Sequence, residues 1–289
     1  MPHTMSRMGD VLAGFHAAWE FESDSVLIRY ERGIRTPKLF QVLGERRVPL
    51  DALAGVTLAP GRRGTVVLRA EPRPGADPLI EAAAGQLKEH NDPYRLVLPA
   101  EREVLAEYYA DELRARLTGA GPAERFLVAP PKAPLQFKAY DGKASFDGTA
   151  VSFRWSWTGA SSAKWKAGDQ HFQVADLGGV EWRSPEAFEG HLRLLRRGAA
   201  APPAPADQDP GAVVFGLGYG PVHESLPFAA AVLAAVRGSG APAPVPASGV
   251  RRDPADIAER IRHLGELHQA GLVTDEEFSV KKAELLSEL

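Results

Sequence analysis

The chain has 289 residues, 44% of them apolar and 25% charged, with a net charge of −3. These values are ordinary for a globular protein, leave room for two domains and an appendage, and lack the basic excess of a general nucleic-acid binder. With no cysteine there is no disulfide framework, thiolate zinc site or thiol nucleophile, and no stretch approaches the ~18 apolar residues of a membrane-spanning helix.

The opening MPHTMSRMGD lacks the apolar core of a signal peptide, so a cytoplasmic location is expected. In DSVLIRYER, Val26, Ile28 and Tyr30 alternate with Leu27, Arg29 and Glu31, the period of a strand. RTPKLFQVL (35–43) reads as a second strand after a turn at Gly33. RRVPLDALAGVTL (46–58) gives two short runs broken by Pro49 and a turn at Asp51, TVVLRA (65–70) a further strand, and YRLVLP (94–99) the last. Residues 71–93 are a proline-rich insertion with a short helix around 79–88. AEREVLAEYYADELRARL (100–117) is a helix with Val104, Leu105, Tyr108, Leu113 and Leu117 as its apolar stripe, stopped by Thr118-Gly119.

The second half repeats the first. At an offset of 125, FESDSVLIRY (21–30) lies over FDGTAVSFRW (146–155), and Asp51 over Asp176. AGV (54–56) falls on GGV (178–180) one deletion later. A period this long marks a duplicated domain, not a solenoid. Asp141-Gly142 and Asp147-Gly148 suit hairpin turns. QHFQVADLGGVEW (170–182) repeats the broken double run, HLRLLRR (191–197) and AVVFGLG (212–218) are strands, and ESLPFAAAVLAAVR (224–237) is the closing helix, with Phe228, Val232, Leu233 and Val236 inward. Past a Gly/Ala/Ser/Pro linker, Asp253-Pro254 caps one helix and Thr274-Asp275-Glu276-Glu277 is the capping box of a second. The fold class is mainly β with α: antiparallel repeats at 10–118 and 135–237, linkers at 119–134 and 238–252, and a helical hairpin at 253–289. Two helices of about four turns are marginal alone, so the hairpin is expected to dock on a partner or a copy of itself.

Few residues carry chemistry. If the loop at 159–163 closes a hairpin pairing Trp157 with Trp165, those rings join Trp155 and Trp182 in the core. Arg154, Ser156, Lys164 and Lys166 then share the outward face. That basic strip is a solvated face or a site for an acidic partner, headgroup or phosphate. Arg29, Arg35 and Lys38, with Arg62-Arg63 at a turn, are its thinner counterpart in repeat one. GLGYG (216–220) lacks nucleotide-loop spacing and reads as a turn. Gly178-Gly179 over Ala54-Gly55 reads as a repeated bulge or tight turn, and Asp51 and Asp176 as turn residues. No nucleophile motif, metal-ligand spacing or cofactor motif is present, so no catalysis, cofactor or metal is expected.

Residues 253–289 resemble the short C-terminal domain SHOCT. The match runs through Ile257, Ile261, Leu264, Leu267, Gly271, Phe278, Lys282 and Leu285 in LHQAGLVTDEEFSVKKAELL (267–286) and the helix before it. It implies oligomerisation or docking through Ile257, Ile261, Leu264, Leu267, Phe278 and Leu285. Residues 10–237, through the paired signatures at Phe21–Tyr30 and Phe146–Trp155 and LDALAGV beside VADLGGV, resemble an actinobacterial family with two tandem copies of a domain of unknown function. Those domains are similar to pleckstrin-homology-like (PH-like) units, seven antiparallel strands and a capping helix, which implies tandem PH-like repeats. The expectation is a non-enzymatic adaptor binding a protein or peptide; the alternative is a peripheral sensor of anionic lipid.

Overall fold

Alternating apolar residues build the strands of both halves, and in the same order. The computed structural model describes residues 10–119, 121–198 and 204–239, all within one compact unit. Repeat one runs β1 (Asp10–Ala13), β2 (Ala17–Phe21), β3 (Ser25–Tyr30), α1 (Lys38–Leu43), β4 (Glu45–Pro49), β5 (Leu53–Pro60), β6 (Thr65–Pro72), α2 (Pro78–Ala83), β7 (Arg95–Pro99) and α3 (Glu103–Arg116). Repeat two runs β8 (Leu135–Lys138), β9 (Gly142–Phe146), β10 (Ala150–Trp155), α4 (Ser162–Ala167), β11 (Gln170–Gln173), β12 (Leu177–Arg183), β13 (His191–Arg196), β14 (Ala212–Val214) and α5 (Val222–Gly238). Each copy is a four-stranded and a three-stranded antiparallel sheet closed by a helix. In each, one backbone bond joins the first hairpin to the last strand: Phe15 N to Val97 O at 2.7 Å, and Tyr140 N to Val214 O at 3.0 Å. The register slips at Leu53/Gly55 and again at Leu177/Gly179, so the small-residue pairs are bulges in both copies.

The segment 35–43, expected as a strand, is the helix α1. Leu39 and Phe40 point to opposite partners, Phe40 stacking on Tyr30 at 4.8 Å and Leu39 joining the core of repeat two. A short apolar run does not separate strand from helix by periodicity. Its bounds decide: Pro37 at the start and Gly44 at the end, with φ +65. The proposed hairpin at 157–165 is likewise a helix, α4, opened by Ser161 and stopped by Gly168 at φ +68.

α3 buries Ala106, Tyr109, Ala110 and Leu113 against β5 and β6. The stripe expected from sequence is therefore rotated, leaving Val104, Leu105 and Tyr108 outside. Two alanines let the helix approach the sheet closely, and Tyr109 stacks on Phe21 at 4.2 Å. At the equivalent place in repeat two, Phe146 meets Phe228 of α5 edge-on at 6.1 Å.

The two cores are not independent. Leu39 of α1 and Leu79, Ala82 and Ala83 of α2 pack into the core of repeat two beside α5. α5 is thus buried nearly all round, which explains its continuous apolar run. Asp77 sets the direction of α2. Its Oδ1 accepts from Leu79 N (2.9 Å) as an N-cap and from Arg46 (2.8 Å), while Oδ2 accepts from the Tyr94 hydroxyl (2.7 Å). Arg46, Asp77 and Tyr94 are all buried. Gln86 completes the seam, donating to Trp182 O and accepting from Ser184 N, both at 2.9 Å. Removing one member of a buried charged pair strands the other, at about 3–5 kcal/mol. Asp77→Ala is expected to lower the unfolding free energy by about that much in urea titration, while exposed Asp51→Ala stays within about 0.5 kcal/mol.

Candidate functional site

The basic strip does not form. Lys164 is fully buried on α4, its Nζ bonded to Asp141 Oδ2 and to Ala212 O (2.8 Å), 5.0 Å from the centre of the Trp155 ring. Asp141 Oδ1 in turn accepts from Val214 N at 2.9 Å. Burial pushes the Lys164 ammonium below its ordinary value and the Asp141 carboxyl above its own, and their mutual attraction opposes both shifts. Lys164 is the third residue of α4 as Phe40 is of α1, and Trp155 replaces Tyr30. An aromatic stack in repeat one is thus a lysine over a ring in repeat two. The helix turns Lys164 inward where a strand would have turned it out. Arg154 is half-buried and sits 3.8 Å from Asp169, leaving Lys166 exposed. Trp157 and Trp165 do meet, edge-on at 5.1 Å and half-buried, through the helix rather than a hairpin.

In repeat one, Arg29 is tied to Glu20 (2.5 Å) and faces Glu45 (3.8 Å). Arg35 and Lys38 are exposed at the entry to α1. Asp51 and Asp176 occupy the same place in two 3-10 turns, where their backbone carbonyls accept from Arg73 (2.8 Å) and Arg197 N (2.9 Å). Among the described residues no group of three or more His, Asp or Glu is placed to hold a metal ion.

A cleft of about 620 Å3 opens at the seam between the repeats. Its walls are the entry to α1 with Lys38, the turn at His90-Asn91, the β12–β13 loop and the β14–α5 loop. Leu217 and Phe188 line it in full or nearly full contact with solvent, at 103% and 82% exposure, with Tyr219 half-exposed. GLGYG is the turn it was expected to be. Gly218 and Gly220 have φ of +82 and +57, and a side chain at Gly216 would strike the Tyr140 ring. The turn therefore holds Leu217 and Tyr219 on the rim. His223 lies at the base, its imidazole pKa lowered by burial, with Glu224 opposing and Lys38 reinforcing the shift.

The family model for a domain of unknown function, DUF4429, matches residues 19–114 and 144–233. The chain belongs to the DUF4429 family. The two DUF4429 matches begin in β2 and β9 and end in α3 and α5, so each covers one copy from its second strand to its closing helix. A short C-terminal domain, SHOCT, matches residues 259–286. That segment lies outside the described residues, as do Ile257, Ile261, Leu264, Leu267, Phe278 and Leu285. No curated protein matches the chain.

Sequence reading missed the seam entirely. The signal for Asp77 was Asp77-Pro78, an N-cap before a proline at the first helical position. For Leu217 and Phe188, single apolar residues in loops carry no periodicity. Two outcomes follow from the buried groups. Lys164→Met is expected to cost about 3–5 kcal/mol in denaturant titration, most of it recovered by adding Asp141→Asn, because the pair costs most when half is removed. The folded-state pKa of His223 lies below its ordinary value of 6.5. Its contribution to stability is present above that value and lost as pH falls through the folded one. Melting from about pH 7.5 down to about 5.5 should therefore destabilise the wild type more than His223→Gln.

Proposed function

We propose that this DUF4429 chain is a non-enzymatic cytoplasmic adaptor that holds a protein partner in the seam cleft. The C-terminal SHOCT domain would present that cleft in more than one copy. The observation that carries the reading is the rim: Leu217 and Phe188 stand in solvent on loops beside a cleft made from both repeats. Large apolar side chains grouped at a concave site are what a partner desolvates. Four plus three antiparallel strands with a closing helix is the plan of PH-like units, which supports reading the repeats as recognition modules. The lipid-sensor alternative relied on Lys164 in an outward strip, and Lys164 is inside. Joining weak sites through a shared assembly raises avidity without new contacts.

The test compares wild type, Leu217→Asp/Phe188→Asp and chain lacking residues 251–289 as baits in the native host, with light scattering on each. A partner is expected that the wild type retains and the rim variant loses, together with a lower molar mass for the truncated chain. A partner set indifferent to the rim refutes the cleft assignment, and an unchanged mass refutes assembly through SHOCT.

A further inference from the structure

The second cavity of repeat one lies on the outer face of β5, β6 and β7, encloses about 770 Å3, and shares no lining residue with the seam cleft. Its floor is a row of three cross-strand neighbours, Thr57, Arg69 and Arg95, with Ala59 and Val67 in the next row. The insertion roofs it with Ile80, Ala83 and Leu87.

Repeat two shows what normally fills this place. The equivalent row is Glu181, Arg193 and Ala212. Two features fix the equivalence. Arg69 pairs with Asp92 at 3.1 Å and Arg193 with Asp209 at 3.0 Å, each aspartate lying three residues ahead of the residue opposite its arginine. Each aspartate also accepts the backbone N–H two residues on, from Tyr94 (3.0 Å) and from Gly211 (2.8 Å). In repeat two the site is closed by its own chain. Arg193 is buried, meets Glu181 Oε2 at 3.3 Å and donates to Ala204 O at 2.8 Å.

In repeat one, Thr57 stands where repeat two has Glu181, and Arg95 where it has Ala212. The half-exposed carboxylate of Glu181 is gone, a guanidinium is added, and the space is open. Arg95 pairs with Glu89 at 3.0 Å, but its Nε is shielded from solvent with no hydrogen-bond partner. Three arginines, Arg62, Arg69 and Arg95, line the recess with two carboxylates, Glu89 and Asp92.

We propose that this recess binds a small apolar carboxylate, its charged end on Arg69 and Arg95 where repeat two places Glu181, its body against Val67, Ile80 and Leu87. Guanidinium forks match carboxylate geometry, and the volume is that of an ordinary ligand pocket.

Calorimetry on the full chain with octanoate, octanol and inorganic phosphate tests this. Octanoate is expected to bind saturably at one site, with octanol weaker by about tenfold or more and phosphate showing no heat, because both halves of the ligand are read. Thr57→Glu supplies the carboxylate of repeat two at an exposed strand position. It should lose octanoate by about tenfold or more with its melting temperature held or raised. Arg95→Ala should weaken octanoate similarly; if it does not fold, Thr57→Glu decides alone. Octanoate bound no better than octanol, no octanoate binding, or a Thr57→Glu chain that binds like the wild type each overturns the assignment.

Discussion

The architecture turns on one buried carboxylate. Asp77 receives a guanidinium, a phenol and a backbone N–H within a space that excludes water, and each bond restrains the same short helix from a different direction. Burial pushes the Tyr94 and Tyr30 hydroxyls well above the ordinary tyrosine value, so both rings stay neutral and Tyr94 stays a donor. Such a cluster adds little net stability over an apolar replacement, but leaving any member alone is costly. What it supplies is direction: α2 leaves repeat one at a set angle and meets α5.

The copies diverged by exchanging chemistry at matched positions while the backbone plan stayed. Where repeat one has Phe40 against Tyr30, repeat two has Lys164 against Trp155, with Asp141 standing where the ammonium arrives. Opposite Phe153, the position of Arg46 opposite Ile28, repeat two has Gln170, which bonds to neighbouring backbone carbonyls instead. The buried charged cluster of repeat one therefore has no counterpart there. The Arg46–Asp77 cluster of repeat one and the Lys164–Asp141 pair of repeat two lie at different places in the same plan.

Most strands were legible because alternation was strong and was seen twice. The duplication itself came from Phe21–Tyr30 over Phe146–Trp155. The same duplication misled at the helix between the third and fourth strands. In both copies a six-residue segment, KLFQVL or SAKWKA, reads as strand, and the informative marks are the glycines behind it, Gly44 and Gly168. Misreading α4 put Lys164 on the wrong side of the sheet, and with it the whole basic strip. The register of α3 was lost for a different reason: small Ala106 and Ala110 face the sheet, and alanine gives a weak signal of burial. The seam was illegible because it joins Gln86 to Trp182 and Asp77 to Arg46 across distances in sequence that no local pattern spans.

The placement of α2 makes the pair, rather than the single copy, the inheritable unit. A fragment beginning at residue 135 would carry Phe228, Leu226 and their neighbours with the side formerly covered by Leu79, Ala82 and Leu39 laid open to water. A fragment ending after α3 would keep Ile80 of α2 on its own core but leave Leu79, Ala82 and Ala83 without the core they pack into. Because the insertion of repeat one serves as a wall of repeat two, deleting either copy exposes apolar surface in the other.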